Sequence, residues 1–243
     1  MELSLGDALS IVEASGETIR MGTKEEQYTY LLDLEERKLG LMMNRVWDND
    51  PRRMAFVLAR YKFVAKMLEE KEKVLEVGCG DAWPSRIVAQ AVKHLTVSDF
   101  DPIFVDDAKS RHEEKWAMDY LVHNMVFEPT KTLFDAIYLC DVFEHIAPHD
   151  EEDFIGNVVR SMGDTGTLII GIPSLQSQDL IPLEKRDPGH VNCKTGPQLK
   201  EVLQRHFHNV FSFSMNDELV HTGHSSMAHY LFCLCTTPIE RIS

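Results

Sequence analysis

The sequence predicts an α/β fold: a doubly wound, seven-stranded sheet, mostly parallel with a C-terminal antiparallel hairpin, plus an N-terminal helical lid over residues 1–50. Three observations carry this expectation. Short β-rich runs alternate with segments of helical period, which is the pattern of a parallel sheet covered on both faces. A glycine turn stands between the first such run and the helix after it. The last two runs are joined by a polar loop too short for a crossover helix, so that pair must be antiparallel. No internal repeat and no Pro/Gly/Ser-rich linker interrupts the 243 residues. The chain 1–243 therefore reads as one domain, with 51–243 as its core.

The elements follow in order. The stretch TYLLDLEERKLGLMMNRVW is helical in character and precedes the sheet. Asp50-Pro51 opens the next helix, and the device recurs at Asp101-Pro102. After Pro51, Met54, Val57, Leu58, Tyr61, Val64, Ala65 and Leu68 recur at three- and four-residue steps. A second stripe, Phe56, Arg60, Phe63 and Met67, makes the helix apolar around much of its circumference, as expected of one wedged between sheet and N-terminal segment. Strands are expected at 73–77 (KVLEV), 95–99 (LTVSD), 120–124, 135–140 (DAIYLC) and 167–172 (TLIIGI). Acidic residues 150–153 favour a helix N-terminus, and Gly163 is its expected stop. A helix near 197–207 leads to strands near 210–215 and 229–235. Cys233 and Cys235, two apart on the last strand, share a face and read as core.

Charge narrows the function. There are 25 Lys plus Arg against 39 Asp plus Glu, a net charge of −14. That balance disfavours nucleic-acid partners, which need local cationic surplus, and disfavours an anionic membrane surface. No apolar run reaches the roughly 18 residues of a membrane helix. The N-terminus lacks the basic region of a secretory signal. Five cysteines without framework spacing fit a reducing compartment. A cytoplasmic protein is the expectation.

The most informative stretch is VLEVGCGDAWPSRIVAQAV. Gly78-Cys79-Gly80 follows a strand, and a helix is expected from about Pro84, so backbone amides can meet a ligand closely. Two ligand classes use this geometry, dinucleotides and S-adenosylmethionine. The dinucleotide fingerprint needs a small residue where Trp83 stands. Glu76 at the strand end would repel a pyrophosphate and suit the ammonium of a methionine moiety. Asp99, 21 residues after Gly78, falls where ribose hydroxyls are bound in either class.

These residues resemble the class I S-adenosylmethionine-dependent methyltransferases. The likeness rests on E-x-G-x-G at Glu76, Gly78 and Gly80, on VSDFDP with Asp99 and Phe100, and on FDAIYLCDVFEHI followed by GTLIIGIPS. It covers roughly residues 73–174 and implies a Rossmann-like core with S-adenosylmethionine as cofactor. Ala82 stands at the loop's usual third glycine. Asn124 is the best match to the residue contacting the adenine amino group, and Asp141 could approach the methionine end.

An alcohol acceptor must lose a proton, which calls for a base near neutrality, and histidine fits unmodified. His145 is the choice the resemblance supports, with His190 (beside Asn192) and His221 as alternatives on neighbouring loops. Asn216, Asp217 and Glu218 would give a polar acceptor site. His221 and His224 with Asp217 and Glu218 could ligate a metal, but H-x-x-H lacks a third ligand of defined position, so no metal is assigned. The leading expectation is O-methylation of a small polar hydroxylated metabolite or sugar intermediate in small-molecule biosynthesis. An Asn/Asp-Pro-Pro-aromatic sequence, which a nucleic-acid acceptor would favour, is absent after the fourth strand. The alternatives are an NAD(P)-dependent oxidoreductase and a non-catalytic S-adenosylmethionine-binding protein.

Overall fold

The computed structural model describes residues 37–239. The chain divides between Lys38 and Leu39, and every element below belongs to the unit Leu39–Ser243. Of the expected lid, residues 1–36 lie outside the described residues.

Two helices, α1 (Leu41–Asn49) and α2 (Arg52–Met67), precede the sheet. Then follow β1 (Lys73–Val77), α3 (Arg86–Ala89), β2 (His94–Asp99), α4 (Pro102–Ser110), β3 (Asp119–Val122) and β4 (Phe134–Cys140). The second half holds α5 (Glu151–Arg160), β5 (Met162–Pro173), α6 (Leu175–Asp179), α7 (Gly196–Gln204), β6 (Phe207–Asn216), β7 (Leu219–His221) and β8 (Tyr230–Pro238). The strand order is β3-β2-β1-β4-β5-β8-β6-β7. The first five strands are parallel, and β8 runs antiparallel to both β5 and β6. The sheet has eight strands rather than seven because the polar loop after β6 folds back as β7, pairing Leu219 with Asn216 and His221 with Ser214.

Strand alternation decides what each face buries. Leu75 and Val77 join Phe154, Ile155, Val158, Leu199 and Leu203 on the face covered by α5 and α7. Val74 joins Tyr61, Val64, Val88 and Ala108 on the face covered by α2, α3 and α4. Both expected stripes of α2 are used. Tyr61, Val64, Ala65 and Leu68 are buried, and Phe63 packs on Phe213 and Phe232 at 5.3 and 4.8 Å between ring centroids. Cys233 and Cys235 lie in the core, and all five cysteines are free.

Local signals hold with three differences. Asp101 caps α4 by accepting from the Ile103 amide at 2.9 Å, and Thr195 with Gln198 forms a capping box on α7, a device worth about 1 kcal/mol. Asp50 instead closes α1, its carboxylate taken by the Arg52 side chain at 2.8 Å. The helix expected from Pro84 shrinks to Arg86–Ala89, because Asp81 accepts from the Trp83 amide at 3.1 Å and holds that segment in a turn. Gly163 is not the stop of α5. The helix ends at Arg160, and Gly163 lies within β5. Among the described residues no helix is long and apolar enough to cross a membrane.

The sheet order reverses between β1 and β4. The chain leaves β1 towards β2 and β3, then crosses back to β4 on the other side. Such a reversal opens a crevice above the strands' carboxyl ends, and ligands bind there in open α/β sheets.

Candidate functional site: the rim above the parallel strands

The glycine loop is built for close approach. Gly78 has φ +71°, and a Cβ there would lie 2.3 Å from Val142 Cγ2. The turn after β4 thus packs against the turn after β1, across the reversal. Gly80 has φ +51° and faces Met42, whose sulfur would be 2.5 Å from an added Cβ. Ala82, at the third small position, also sits left-handed at φ +50°, so the loop keeps its glycine-like path with alanine there at modest strain. The start of α1 crosses beside this loop. Its first-turn amides have no cap of their own and are satisfied from outside: Met43 donates to Asp81 Oδ2 at 2.8 Å and Leu41 to Asp107 Oδ2 at 3.3 Å.

Asp99 ends β2 and braces the loop. One oxygen accepts from the Gly80 amide and the other from the Asp101 amide, each at 3.0 Å. Burial raises its pKa while those amides pull it back. The next side chain, Phe100, is 69% exposed. On the loop after β3, Asn124 Oδ1 accepts from the Val126 amide at 3.0 Å.

Glu76 is only 1% exposed. It lies on the same face as Val74, against α2, and accepts from Tyr61 Oη at 2.6 Å and Tyr138 Oη at 2.7 Å. Both oxygens are therefore engaged within the core rather than presented to a donor's ammonium, because strand alternation turns this side chain under α2. Burial pushes its pKa up to about 7, although the phenols and the nearby Ser85 hydroxyl favour the ionised form. With the folded value above the unfolded one, the fold holds the extra proton between about pH 4.5 and 7. Stability must fall as pH rises through that window and level off above it. Glu76→Gln should remove a decline of about 3 kcal/mol, read as the difference between the two proteins' urea-unfolding profiles from pH 4.5 to 8. Parallel profiles would show that Glu76 carries no such shift.

Asp141 follows β4 at φ +58°. Its Oδ2 accepts from Arg60 at 2.5 Å, and its amide donates to Tyr230 Oη at 3.2 Å. Arg60 in turn lies 3.9 Å above the Tyr230 ring. Burial works against the guanidinium's charge, but Asp141 more than offsets it and Arg60 stays cationic. The second apolar stripe of α2 thus delivers a cation to the rim.

The turn Phe143–His145 and the loop after β5 bring two histidines together. Residues 175–194 leave and rejoin the sheet at one point, where Ser174 bridges Lys194. Lys194 is tied to Glu151 at 2.7 Å, and Asn192 bonds both the Glu144 carbonyl and the Glu151 carboxylate at 2.9 Å. This places His190 against His145, ring centroids 4.9 Å apart. His145 Nδ1 bonds the Gly189 carbonyl at 2.9 Å and His190 Nδ1 bonds Gln178 Oε1 at 2.8 Å. Both acceptors call for a proton on Nδ1, so that in a neutral ring it is Nε2 that carries the lone pair. Burial and then the neighbouring His145 lower the His190 pKa, favouring the neutral ring. Glu144, between Phe143 and His145, is fully buried and neither oxygen has a hydrogen-bond partner among the described residues. Burial, reinforced by Asp141, raises its pKa well above the ordinary range.

His221 is not part of this group. Its Nε2 bonds Asn216 Oδ1 at 2.9 Å and its Nδ1 accepts from the Gly223 amide at 2.9 Å, within the β6–β7 hairpin. Sequence reasoning named His145, His190, Asp99, Asp141 and the glycines, but not the tyrosines on Glu76, nor the bareness of the Glu144 carboxylate. A charged residue directly after Val142 and Phe143 was the signal for the latter.

Residues 74–166 match the family described as Methyltransferase domain. No curated protein matches the chain. Among solved structures, the N-methyltransferase NodS from Bradyrhizobium japonicum WM9 is similar in fold, with TM-score 0.55 and 19% identity over 79% of this chain and 99% of that one. The same enzyme in complex with S-adenosyl-L-homocysteine gives 0.56 at 19% identity over 80% and 91%. An S-adenosylmethionine-dependent methyltransferase from Clostridium acetobutylicum ATCC 824 gives 0.62 at 11% identity over 80% and 97%. The match over residues 74–166 is to a methyltransferase domain, and the sheet order and glycine loop give the chain the fold of S-adenosylmethionine-dependent methyltransferases.

Proposed function

We propose that the protein methylates an oxygen of a small, polar, hydroxylated metabolite or sugar intermediate. The observation that carries this is the pair of imidazoles at the rim, each with Nδ1 fixed by an oxygen acceptor and Nε2 left as a base. Methyl transfer is an in-line displacement at an activated sulfonium, so the protein's task is alignment and exclusion of water. The acceptor hydroxyl is the group that needs help, and a neutral imidazole within reach supplies it. His145 is the first candidate and His190 its neighbour, while His221 would reach an acceptor only from the hairpin side.

On the donor side, Gly78 and Gly80 let the backbone lie close to the donor. Asp99 accepts the ribose hydroxyls, exposed Phe100 covers an adenine face, and Asn124 meets the adenine edge. Arg60 and Asp141, an adjacent cation and anion, match the two charges of a methionine moiety's amino-acid end. Glu76 acts from below by fixing Tyr61 and Tyr138 under the loop. The acidic balance agrees with a small neutral or cationic acceptor, with no nucleic acid and no membrane as partner and a place in the cytoplasm.

Calorimetry with S-adenosylmethionine and S-adenosylhomocysteine, against NAD and NADP, tests the donor; heat from the dinucleotides alone would sink the reading. Incubating the protein and isotopically labelled donor with cellular extract, then searching by mass spectrometry for metabolites that gain one methyl group, tests the acceptor. A labelled O-methyl product of low mass is expected. Label only in protein or RNA would overturn the small-molecule assignment.

A further inference from the structure

We infer that Glu144, His145 and His190 form a binding site for a divalent transition-metal cation. One ligand atom from each of the three lies within 4.8 Å of the other two, a spacing that one ion could span with little side-chain movement. Two imidazoles and one carboxylate are a donor set that first-row divalent cations accept, with open positions left for other oxygens.

Two independent features point to a ligand here. The first is Glu144. A fully buried carboxyl with no side-chain or backbone partner among the described residues for either oxygen costs free energy that an apolar residue would not, and such groups call for an explanation. A cation supplies one, because it would coordinate the oxygens that none of the described residues satisfies. The second is the outer arrangement of the histidines. A ligating imidazole characteristically donates its other ring N–H to a carbonyl or carboxylate oxygen, which fixes the tautomer and orients the ring. Both histidines have this partner already, Gly189 O for His145 and Gln178 Oε1 for His190. Asp141, three residues before Glu144, is committed to Arg60 and is not counted as a ligand.

The three ligands come from two segments, the turn after β4 and the loop after β5, so a bound cation would tie these together at the acceptor side of the rim. Positions left open on such an ion would suit oxygen ligands of the kind a hydroxylated acceptor carries. A metal-held hydroxyl is more acidic than a free one. With a cation bound, the imidazoles would hold the ion, and the ion would acidify a coordinated hydroxyl so that its proton passes to solvent water before the oxygen takes the methyl group. This role rests on the acceptor reading above, whereas the binding site itself does not.

The test uses the untagged full chain, stripped with chelator and dialysed, without donor or acceptor. Titration with Co2+ should give visible d–d absorption saturating at one equivalent, with Zn2+ displacing it. His190→Ala and Glu144→Gln should each weaken Co2+ binding by roughly tenfold or more, with circular dichroism and thermal unfolding confirming that each variant is folded. His221→Ala, in the hairpin, should bind as the parent does. Absence of saturable Co2+ absorption, or binding undiminished in both folded variants, would overturn the inference. Because no methyl donor is present, failure here leaves the methyl-transfer reading intact, and failure of donor binding by calorimetry leaves this one intact.

Discussion

Replacing His145 with alanine is expected to lower turnover by about 10²–10⁴-fold, the usual worth of a positioned proton-transfer group, with donor affinity nearly unchanged. The separation of the two effects follows from the placement of the ring. His145 hangs from the turn after β4 and is anchored by the Gly189 carbonyl on the loop after β5. The glycine loop is held by other bonds, from Gly80 to Asp99 and from the Cys79 amide to the Ser98 carbonyl at 2.9 Å. Truncating the imidazole leaves those bonds alone. The expected split is therefore in the catalytic rate, read with labelled donor on the acceptor found in extract, and not in the calorimetric affinity for S-adenosylhomocysteine. The prediction holds whether Nε2 takes the proton or holds a cation. Chelator separates these cases: parent activity that survives stripping assigns the proton to the imidazole. Turnover unchanged in His145→Ala would remove the residue from the mechanism.

Gly78→Ala should destabilise the fold and abolish measurable donor binding. Two costs combine at this position. A left-handed φ of +71° costs a residue with a Cβ about 1–2 kcal/mol. The added methyl would also stand 2.3 Å from Val142 Cγ2, and such overpacking typically costs another 1–3 kcal/mol. For a protein of this size the melting temperature should fall by roughly 5–15 °C. Because the strain is relieved by moving the loop itself, donor affinity should fall further than stability alone requires. The double variant Gly78→Ala/Val142→Ala separates the two terms. It removes the steric clash and keeps the backbone strain, so it should recover part of the binding and not all of it. Recovery to the parent's affinity would mean that the left-handed turn is not what the loop needs glycine for.

Much of the architecture was legible without coordinates, for a local reason. Strand runs such as 73–77 and 135–140, the Asp101-Pro102 start and the Gly78–Gly80 turn are written in residues a few positions apart, and local propensity and period decide them. The antiparallel closure was legible from connection length alone. What failed was also local in kind but decided by distant partners. Gly163 looks like a helix stop, yet the ladder with β4, where Phe134 pairs Met162, draws it into a strand. Pro84 looks like a helix start, yet Asp81 and the start of α1 hold the preceding residues in a turn. The extra strand β7 exists only because β6 offers it an edge.

The site divides along the same line. By itself the sequence determined that a glycine turn, an acid at the end of β2 and histidines after β4 and β5 would stand on one rim, because parallel strands deliver all their carboxyl ends to one side of the sheet. Only the tertiary structure decided which of those groups meet. Alternation on β1 and the crossing of α2 put Glu76 under Tyr61 instead of in the crevice. The tie between Lys194 and Glu151 set His190 against His145, while Asn216 and the Gly223 amide hold His221 in its hairpin. Packing around Phe143 buried Glu144 bare between them. Such encounters depend on side-chain direction and on contacts between residues from 15 to 89 positions apart, for which sequence spacing carries no signal.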